Sequence, residues 1–334
     1  MFSLLTCCFL LNLPVLEREI VLQTNHLFLG DIQPHRSLYA EDGTLILGAQ
    51  HQIFHFDLNT GKLIRFFGRN GQGPLEFGDI RAVNWDGSYY FIVDARALKT
   101  SLVDASGKLI WCKPCYFRGL NGTHELMVGD CKTAKLAEYR IIFPTLKLFK
   151  YTPKGIEFLS DYFHPVSQKC LDLGRNYSIH FIDMDEKHIF VIDQVHPEVF
   201  VYDKQSLKQV RRMTMKMPGF VSGPDSFPKF GMPPDMRKYW KWHWSWSRIN
   251  SLTVENGKII VGYDLTCKEV DGEVCNHPQS AVHIYDMATA DGRSIKIENG
   301  WVLGAKNQNI IVFYDWDDEQ SEDPYYVVKM YKMP

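Results

Sequence analysis

The chain has 334 residues, of which 45% are hydrophobic and 13% aromatic, and a formal net charge of −2. A chain of this length forms one large β domain or two ordinary ones. The balanced charge gives no support for nucleic-acid binding, which requires a basic face. The aromatic content favours β-strands, because Tyr, Phe and Trp fit a pleated, half-buried surface.

The N-terminal segment Met1–Leu13 is apolar but shorter than the roughly 20 residues that a membrane helix needs. It resembles the end of a secretory signal without the basic region. The run Leu4–Cys7 also resembles a bacterial lipoprotein cleavage box, with Thr6 in the place usually taken by Gly, Ala or Ser. We therefore predict an export or lipoprotein signal remnant over residues 1–16. The alternative is a frayed or packed terminus.

A signal would place the protein in the periplasm or cell envelope, with membrane contact only through a lipid anchor. Without a signal, the protein would be cytoplasmic.

A short pattern recurs along the chain: alternating apolar residues, a polar residue, a turn and a second apolar run. The polar residues are Asp57, Asp104, Thr152, Asp203 and Asp286. Each copy predicts a β-hairpin. The first four polar residues lie 47, 48 and 51 residues apart, close to the 40–50 residues of a four-stranded propeller blade. The last interval is 83 residues, and it becomes 53 without the 30-residue interruption at 218–247.

Two further strands precede each hairpin, as in the segment 81–94 around an Asp86–Gly87 turn. Five such units account for residues 36 to about 297, and a sixth, from Trp301 onward, lacks one strand. The strand-like run Arg18–Leu22 can supply it, joining the chain ends in one sheet and removing exposed ring edges.

We therefore predict an all-β fold, a single six-bladed β-propeller with four-stranded antiparallel blades over residues 17–334. An N-terminal strand completes the last blade and closes the ring, and an insertion lies at about 217–247.

The segment 66–77, FFGRNGQGPLEF, raises the question of a phosphate-binding loop. Its glycines are spaced G-x-x-G-x-G, no Lys-Ser/Thr pair follows, and Pro74 precedes no helical pattern. It therefore matches neither a dinucleotide loop nor a P-loop.

The segment resembles instead the G-x-G-x-G-P-x-E-F connector of bacterial six-bladed β-propellers related to NHL-repeat proteins, with Leu75 where that family usually has Gly. The residues that carry the resemblance are Gly68, Arg69, Gly71, Gly73, Pro74, Glu76 and Phe77. The resemblance implies a link from the outer strand of one blade to the inner strand of the next. Glycines let the chain turn over the ring, and Phe77 can wedge between blades.

The eight cysteines are compatible with disulfides in an exported chain. Cys267 and Cys275 flank a short polar loop, across which a bridge is geometrically feasible. Cys112 and Cys115 form a C-x-x-C without the helix of a thioredoxin-like redox site. A structural pair or two buried thiols is the better interpretation.

The insertion ends in a run of alternating tryptophans. On an extended chain, the indoles of Trp240, Trp242, Trp244 and Trp246 would point one way and His243 the other. With Arg237 and Arg248 nearby, they would form a stacking platform for a sugar or a peptide. The alternative is that the indoles cover the ring or fill a gap between the fourth and fifth blades.

Propellers carry function on loops of a rigid ring or in the central channel. We predict a monomeric scaffold that binds a protein, peptide or glycan, without cofactor, metal or nucleic acid. The alternative function is a metal-dependent hydrolase or lyase similar to propeller lactonases. Three or more Asp, Glu, Asn or His side chains converging in the channel would favour that enzyme, whereas indoles exposed on one face would favour binding.

Overall fold

The computed structural model describes residues 15–24, 37–39, 43–94, 96–97, 99–114, 124–130, 135–140, 145–163, 180–223, 238, 241–242, 245–266, 279–297, 300–316 and 325–333. The strands in these ranges are β1 (Val15–Val21), β2 (Ser37–Tyr39), β3 (Thr44–Gly48), β4 (Ile53–Asp57), β5 (Lys62–Phe67), β6 (Arg69–Asn70), β7 (Glu76–Phe77), β8 (Ile80–Trp85), β9 (Tyr89–Asp94), β10 (Lys99–Asp104), β11 (Leu109–Pro114), β12 (His124–Asp130), β13 (Lys135–Arg140), β14 (Thr145–Thr152), β15 (Gly155–Phe163), β16 (His180–Met184), β17 (His188–Asp193), β18 (Glu198–Asp203), β19 (Gln209–Thr214), β20 (Arg248–Glu255), β21 (Lys258–Asp264), β22 (Ser280–Asp286), β23 (Gly292–Ile297), β24 (Trp301–Lys306), β25 (Asn309–Trp316) and β26 (Tyr325–Lys332).

These strands form four-stranded antiparallel sheets, as the propeller prediction requires. Within the described ranges there are six, β2–β5, β8–β11, β12–β15, β16–β19, β20–β23 and β24–β25–β26–β1, together with a short parallel pair of β6 and β7. Side chains are described for most residues of five of these sheets, though not for β2, and in β12–β15 they are described at residues 152–155. The all-β propeller with four-stranded antiparallel blades is confirmed.

The first strand of each sheet is its innermost strand. These strands contact one another in the order β2, β8, β12, β16, β20 and β24, and β24 in turn contacts β2. The sheets therefore surround a common axis. The apolar core lies between successive sheets: Phe54 and Phe56 on β4 pack with Phe313 on β25 and Tyr326 on β26.

The chain ends meet in one sheet. β1 pairs antiparallel with β26, from Val15 opposite Lys332 to Val21 opposite Val327, and Ile20 is buried in the core that this sheet shares with β3 and β4. β1 begins at Val15, so strand pairing extends two residues into the segment 1–16 that was predicted as a signal remnant.

The recurrent polar residue of the sequence pattern caps the turn between the third and fourth strands. The side chain accepts a backbone N–H two or three residues further on, at Asp57 (from Asn59, 2.7 Å), Asp104 (Ser106, 2.8 Å), Thr152 (Lys154, 3.2 Å), Asp203 (Ser206, 2.7 Å) and Asp286 (Ala288, 2.9 Å). These turn hydrogen bonds hold the pKa of the four carboxyls below the ordinary value. The signature is therefore a folding device, since local side-chain acceptors favour turns.

Outer strands are tied to the turn of the following sheet. The donors and acceptors are Arg18 Nη2 to Asn59 O (2.5 Å), Arg65 Nη1 to Ser106 O (2.5 Å) and Trp111 Nε1 to Thr152 O (2.9 Å), each pair 41 residues apart. We call these contacts the peripheral ties.

Candidate functional site

The strand directions give the ring two different ends. The turns between the first and second strands and between the third and fourth lie at one end, which we call the turn end; Asp86 and Asp104 mark it. The opposite end, the connector end, carries the links between sheets and the loops between second and third strands. The insertion joins β19 to β20 and the Cys267–Cys275 loop joins β21 to β22. Both segments therefore leave their sheets at the connector end.

The connector 68–77 holds a carboxylate from within the segment itself, that of Glu76. Glu76 accepts the backbone N–H groups of Gln72 (3.1 Å) and Gly73 (2.8 Å). Its other oxygen accepts Arg69 Nε (2.8 Å) and lies 2.6 Å from Arg69 Nη2. The Gly73 amide and Arg69 lower the pKa of Glu76. An internal carboxylate thus occupies the place that a phosphate would take in a phosphate-binding loop.

A buried lysine forms hydrogen bonds to the main chain of the same connector. Lys99, 7% exposed at the start of β10, donates from Nζ to Gly73 O (2.5 Å), Glu76 O (2.5 Å) and Gln72 O (3.4 Å). The ammonium also lies 5.4 Å from the ring centroid of Phe77. Lys99 therefore supplies hydrogen-bond donors to main-chain carbonyls of the connector.

Phe77 lies at the junction of two sheets. It is fully buried and packs with Ile46 and Ile53 of the first sheet and Ile80 and Ile92 of the next. Gly68, with φ of +97°, permits this close approach: a Cβ there would lie 2.7 Å from His51 O and 3.0 Å from the Phe77 ring.

Asp94 fixes the link on its other side. This carboxylate, fully buried at the end of β9, accepts backbone N–H groups from Gly78 (2.7 Å), Asp79 (3.0 Å), Arg96 (3.1 Å) and Ala97 (3.0 Å). The connector is thus held rigidly, and nothing in these contacts assigns it a ligand.

The base of the insertion is closed by hydrogen bonds between its two ends. Ser247 N donates to Val221 O (2.8 Å) and Val221 N donates to Ser247 Oγ (3.1 Å). Tyr263 Oη on β21 donates to Pro218 O (3.0 Å), and Phe220 packs edge-on against the Tyr263 ring, with centroids 5.7 Å apart. The insertion therefore starts from a fixed base on the fifth sheet.

Trp242 and Trp246 do not lie in the extended row that alternation predicts. Trp242 is helical, and Ser245 N donates back to Trp242 O (3.1 Å). Trp246 is buried, at 2% exposure, whereas Trp242 is half-buried and lies edge-on to it at 5.8 Å. The extended-chain prediction is wrong at Trp242, because this residue is helical and its carbonyl accepts the Ser245 N–H. Trp240, Trp244, His243 and Arg237 lie outside the described residues.

Arg248 points inward. Its side chain is 11% exposed and its Nη2 lies 3.9 Å from Asp264 Oδ2. Asp264 also accepts Asn250 Nδ2 (2.9 Å) and Ser280 Oγ (3.2 Å). Burial raises the pKa of Asp264, and the Arg248 charge opposes that rise. The sequence analysis placed Arg248 beside a ligand, whereas its side chain lies near Asp264. The sequence did contain a signal for this acidic position, because an Asp ends the second strand of three sheets, at Asp94, Asp193 and Asp264.

The cysteine predictions are tested in part. Cys267 and Cys275 lie outside the described residues, although Leu265 N donates to Gln279 O (2.7 Å) and so closes the base of their loop. Cys112 is a free and exposed thiol. The expectation of a buried thiol is wrong at this position, because an outer strand presents alternate side chains to solvent. Cys115 lies outside the described residues.

In the inner strands, polar side chains bind the neighbouring strand. Asp183 on β16 accepts Val254 N on β20 (2.6 Å), and Thr253 accepts Ala305 N on β24 (3.2 Å). Burial raises the pKa of Asp183 to about 6. Among the described residues, no three His, Cys, Asp or Glu side chains lie close enough together to hold a metal ion.

Comparison with known proteins gives the fold. No family model and no curated protein matches the sequence. Among solved structures, a member of the DUF4221 family from Bacteroides vulgatus superposes with a TM-score of 0.65 at 11% identity, covering 96% of this chain and 97% of that one. A protein of Bacteroides fragilis predicted to be exported gives 0.58 at 12% identity, with 94% of both chains covered.

A third solved structure, U3-55K, gives a TM-score of 0.57 at 9% identity and covers 94% of this chain and 99% of that one. At identities this low, the structural similarity shows a shared fold only. In the described part of the chain, no helix is long and apolar enough to be a candidate membrane span.

Proposed function

We propose that the protein is a monomeric, extracytoplasmic binding scaffold, a six-bladed propeller whose connector end holds a protein, peptide or glycan. The apolar N-terminal segment and the likeness to a Bacteroides fragilis protein predicted to be exported support the location. The six described sheets and the cyclic order of their inner strands support the ring.

The observation that carries the proposal is the half-buried indole of Trp242, held edge-on to the buried Trp246 above a fixed base. An indole supported in this way exposes part of its ring at little entropic cost, since its neighbour and the Ser245 turn fix its orientation. We therefore assign the contact surface to Trp242, next to the hydrogen-bonded base of the insertion.

The test is a screen on glycan and peptide arrays, followed by titration of any hit against Trp242→Ala. A buried aromatic anchor contributes about 2 kcal/mol or more to binding, so we expect about 30-fold weaker binding. The matched control is Trp111→Ala, which removes a half-buried indole from an outer strand away from the connector end. Equal affinity of Trp242→Ala and wild type would refute this surface.

A metal measurement distinguishes the scaffold from the lactonase-like alternative. Mass spectrometry on protein purified without added ions, with a chelated control, measures the metal content of each chain. One divalent ion per chain, lost on chelation, would replace the scaffold proposal by the hydrolase and direct the work to lactones and esters.

A further inference from the structure

A chain of hydrogen bonds connects a buried histidine to the first residues of the insertion. His283 on β22 is 1% exposed, and its Nδ1 lies 2.8 Å from Ser294 Oγ on β23. Ser294 Oγ lies 3.3 Å from Tyr263 Oη, which is 3.0 Å from Pro218 O. The Tyr263 hydroxyl lies within donating distance of both Ser294 Oγ and Pro218 O, and the Nδ1–H tautomer of His283 donates to Ser294 Oγ.

The other ring nitrogen has no place for a proton. Nε2 of His283 is buried and has no hydrogen-bond partner among the described residues. It faces Gly292, where a Cβ would lie 2.6 Å from Nε2. A proton on Nε2 would therefore be a buried donor without an acceptor, which is costly. Burial lowers the pKa of His283 to about 4.

The elements around His283 bring no charge to it. On its sheet face lie Ala281 and Tyr263, which belong to an apolar cluster with Met213 and Met215 of the preceding sheet. Two charged residues of the surrounding strands are buried: Asp264, which is bonded to Asn250 and Ser280, and Asp193 at the end of β17. The others are exposed or half-buried, namely Lys258, Asp286, Arg293, Lys296, Glu198, Arg211 and Arg212. Burial is the sole cause of the shifted pKa.

We propose that His283 is an acid-sensitive latch for the base of the insertion, residues 217–221. Neutral His283 keeps the chain to Pro218 closed. Protonation at Nε2 is favourable only when this junction opens and water reaches the ring, so acid favours release of the base from Tyr263. The latch stands whether or not a ligand binds at Trp242.

The expected size follows from linkage. If opening returns the imidazole to the ordinary pKa of 6.5, from about 4 in the closed junction, lowering the pH from 7 to 4 increases the equilibrium constant for opening about 100-fold.

Hydrogen exchange measures the opening directly. The amides of Val221 and Ser247 are hydrogen-bonded across the base, and that of Phe220 is bonded to Met217 O within it, so their protection, corrected for intrinsic exchange, reports the opening. We expect a loss of about 100-fold between pH 7 and pH 4 in the wild type. In His283→Asn, which keeps a polar atom near Nδ1 but cannot be protonated, we expect no loss.

The matched control is His55→Asn. His55 is another buried histidine, bonded to Tyr90 at the junction of the first two sheets, and its variant should lose protection at the insertion base as the wild type does. Constant wild-type protection, an equal loss in His283→Asn, or a loss spread over all sheets would each overturn the latch.

A second variant tests the chain itself. Tyr263→Phe removes the donor to Pro218 O and leaves His283 in place, so we expect the base to be poorly protected at both pH values. If Tyr263→Phe instead shows wild-type protection at pH 7 and the same loss at pH 4, the hydrogen-bond chain does not hold the base and the latch is refuted.

Discussion

Lys99→Met tests whether the connector depends on one buried ammonium. Methionine keeps most of the apolar length of the side chain, which fits the buried position at 7% exposure, and removes the charge and all three donated hydrogen bonds. The carbonyls of Gln72, Gly73 and Glu76 then lose the donor that Lys99 supplies.

The magnitude follows from the contacts. A hydrogen bond from a charged donor contributes about 1.5–3 kcal/mol, and two of the three are 2.5 Å long. The cation–π contact with Phe77 adds about 0.5–1 kcal/mol. The desolvation of the ammonium in the wild type offsets part of this sum. We therefore expect Lys99→Met to lower the free energy of unfolding by about 3–5 kcal/mol.

Urea unfolding followed by far-UV circular dichroism measures the loss, with Lys208→Met as the control at an exposed lysine. The control should change the free energy of unfolding by less than about 0.5 kcal/mol. A Lys99→Met loss below about 1 kcal/mol would refute the reasoning, because the carbonyls would then be satisfied without the lysine.

Three further variants probe other contacts. Glu76→Gln should raise hydrogen exchange at the amides it now binds in the connector, because the negative charge that both Gly73 and Arg69 stabilise is lost; unchanged exchange would contradict the role of the carboxylate. Asp183→Asn should change the pH profile: the folded pKa is raised to about 6 from 3.8, so wild-type stability falls as the pH rises through this window, by about 2.4 kcal/mol relative to the variant between pH 4 and pH 7. Urea unfolding at pH 4 and pH 7 measures this difference, and parallel profiles would show that Asp183 does not titrate as proposed. Arg65→Met should cost about 1 kcal/mol through its lost peripheral tie, compared by thermal unfolding with Arg211→Met, an exposed arginine that also follows a bulge in an outer strand; equal losses would remove the special role of the tie.

The hairpins could be predicted from the sequence because their cause is local. Asp57 and Asp203 accept hydrogen bonds from amides two or three residues away, so the turn signal and the strands that it joins are adjacent in the sequence. The pairing of the first strand with the last also followed from counting, since a three-stranded unit needs a fourth strand to cover its edge.

The site was less predictable because its contacts are distant in sequence. Lys99 reads as an ordinary polar residue at the start of a strand, and only its approach to Gly73 and Glu76, 26 and 23 residues away, shows that it supports the connector. Alternation assigned Trp242 and Trp246 to one face of an extended chain. A turn at Ser245 instead leaves one indole half-buried and buries the other.

The pairing of β1 with β26 has a consequence for biosynthesis. Val15 and its partner Lys332 are 317 residues apart, and a ribosome adds roughly 5–20 residues each second, so the first strand waits about 15–60 s for its partner. During that time β26 is absent and the apolar side chains of Ile20 and Leu22 have no completed sheet to join. The amino-terminal strand is therefore the segment that a chaperone or an export factor would meet in the growing chain, and the ring can close only after synthesis is almost complete.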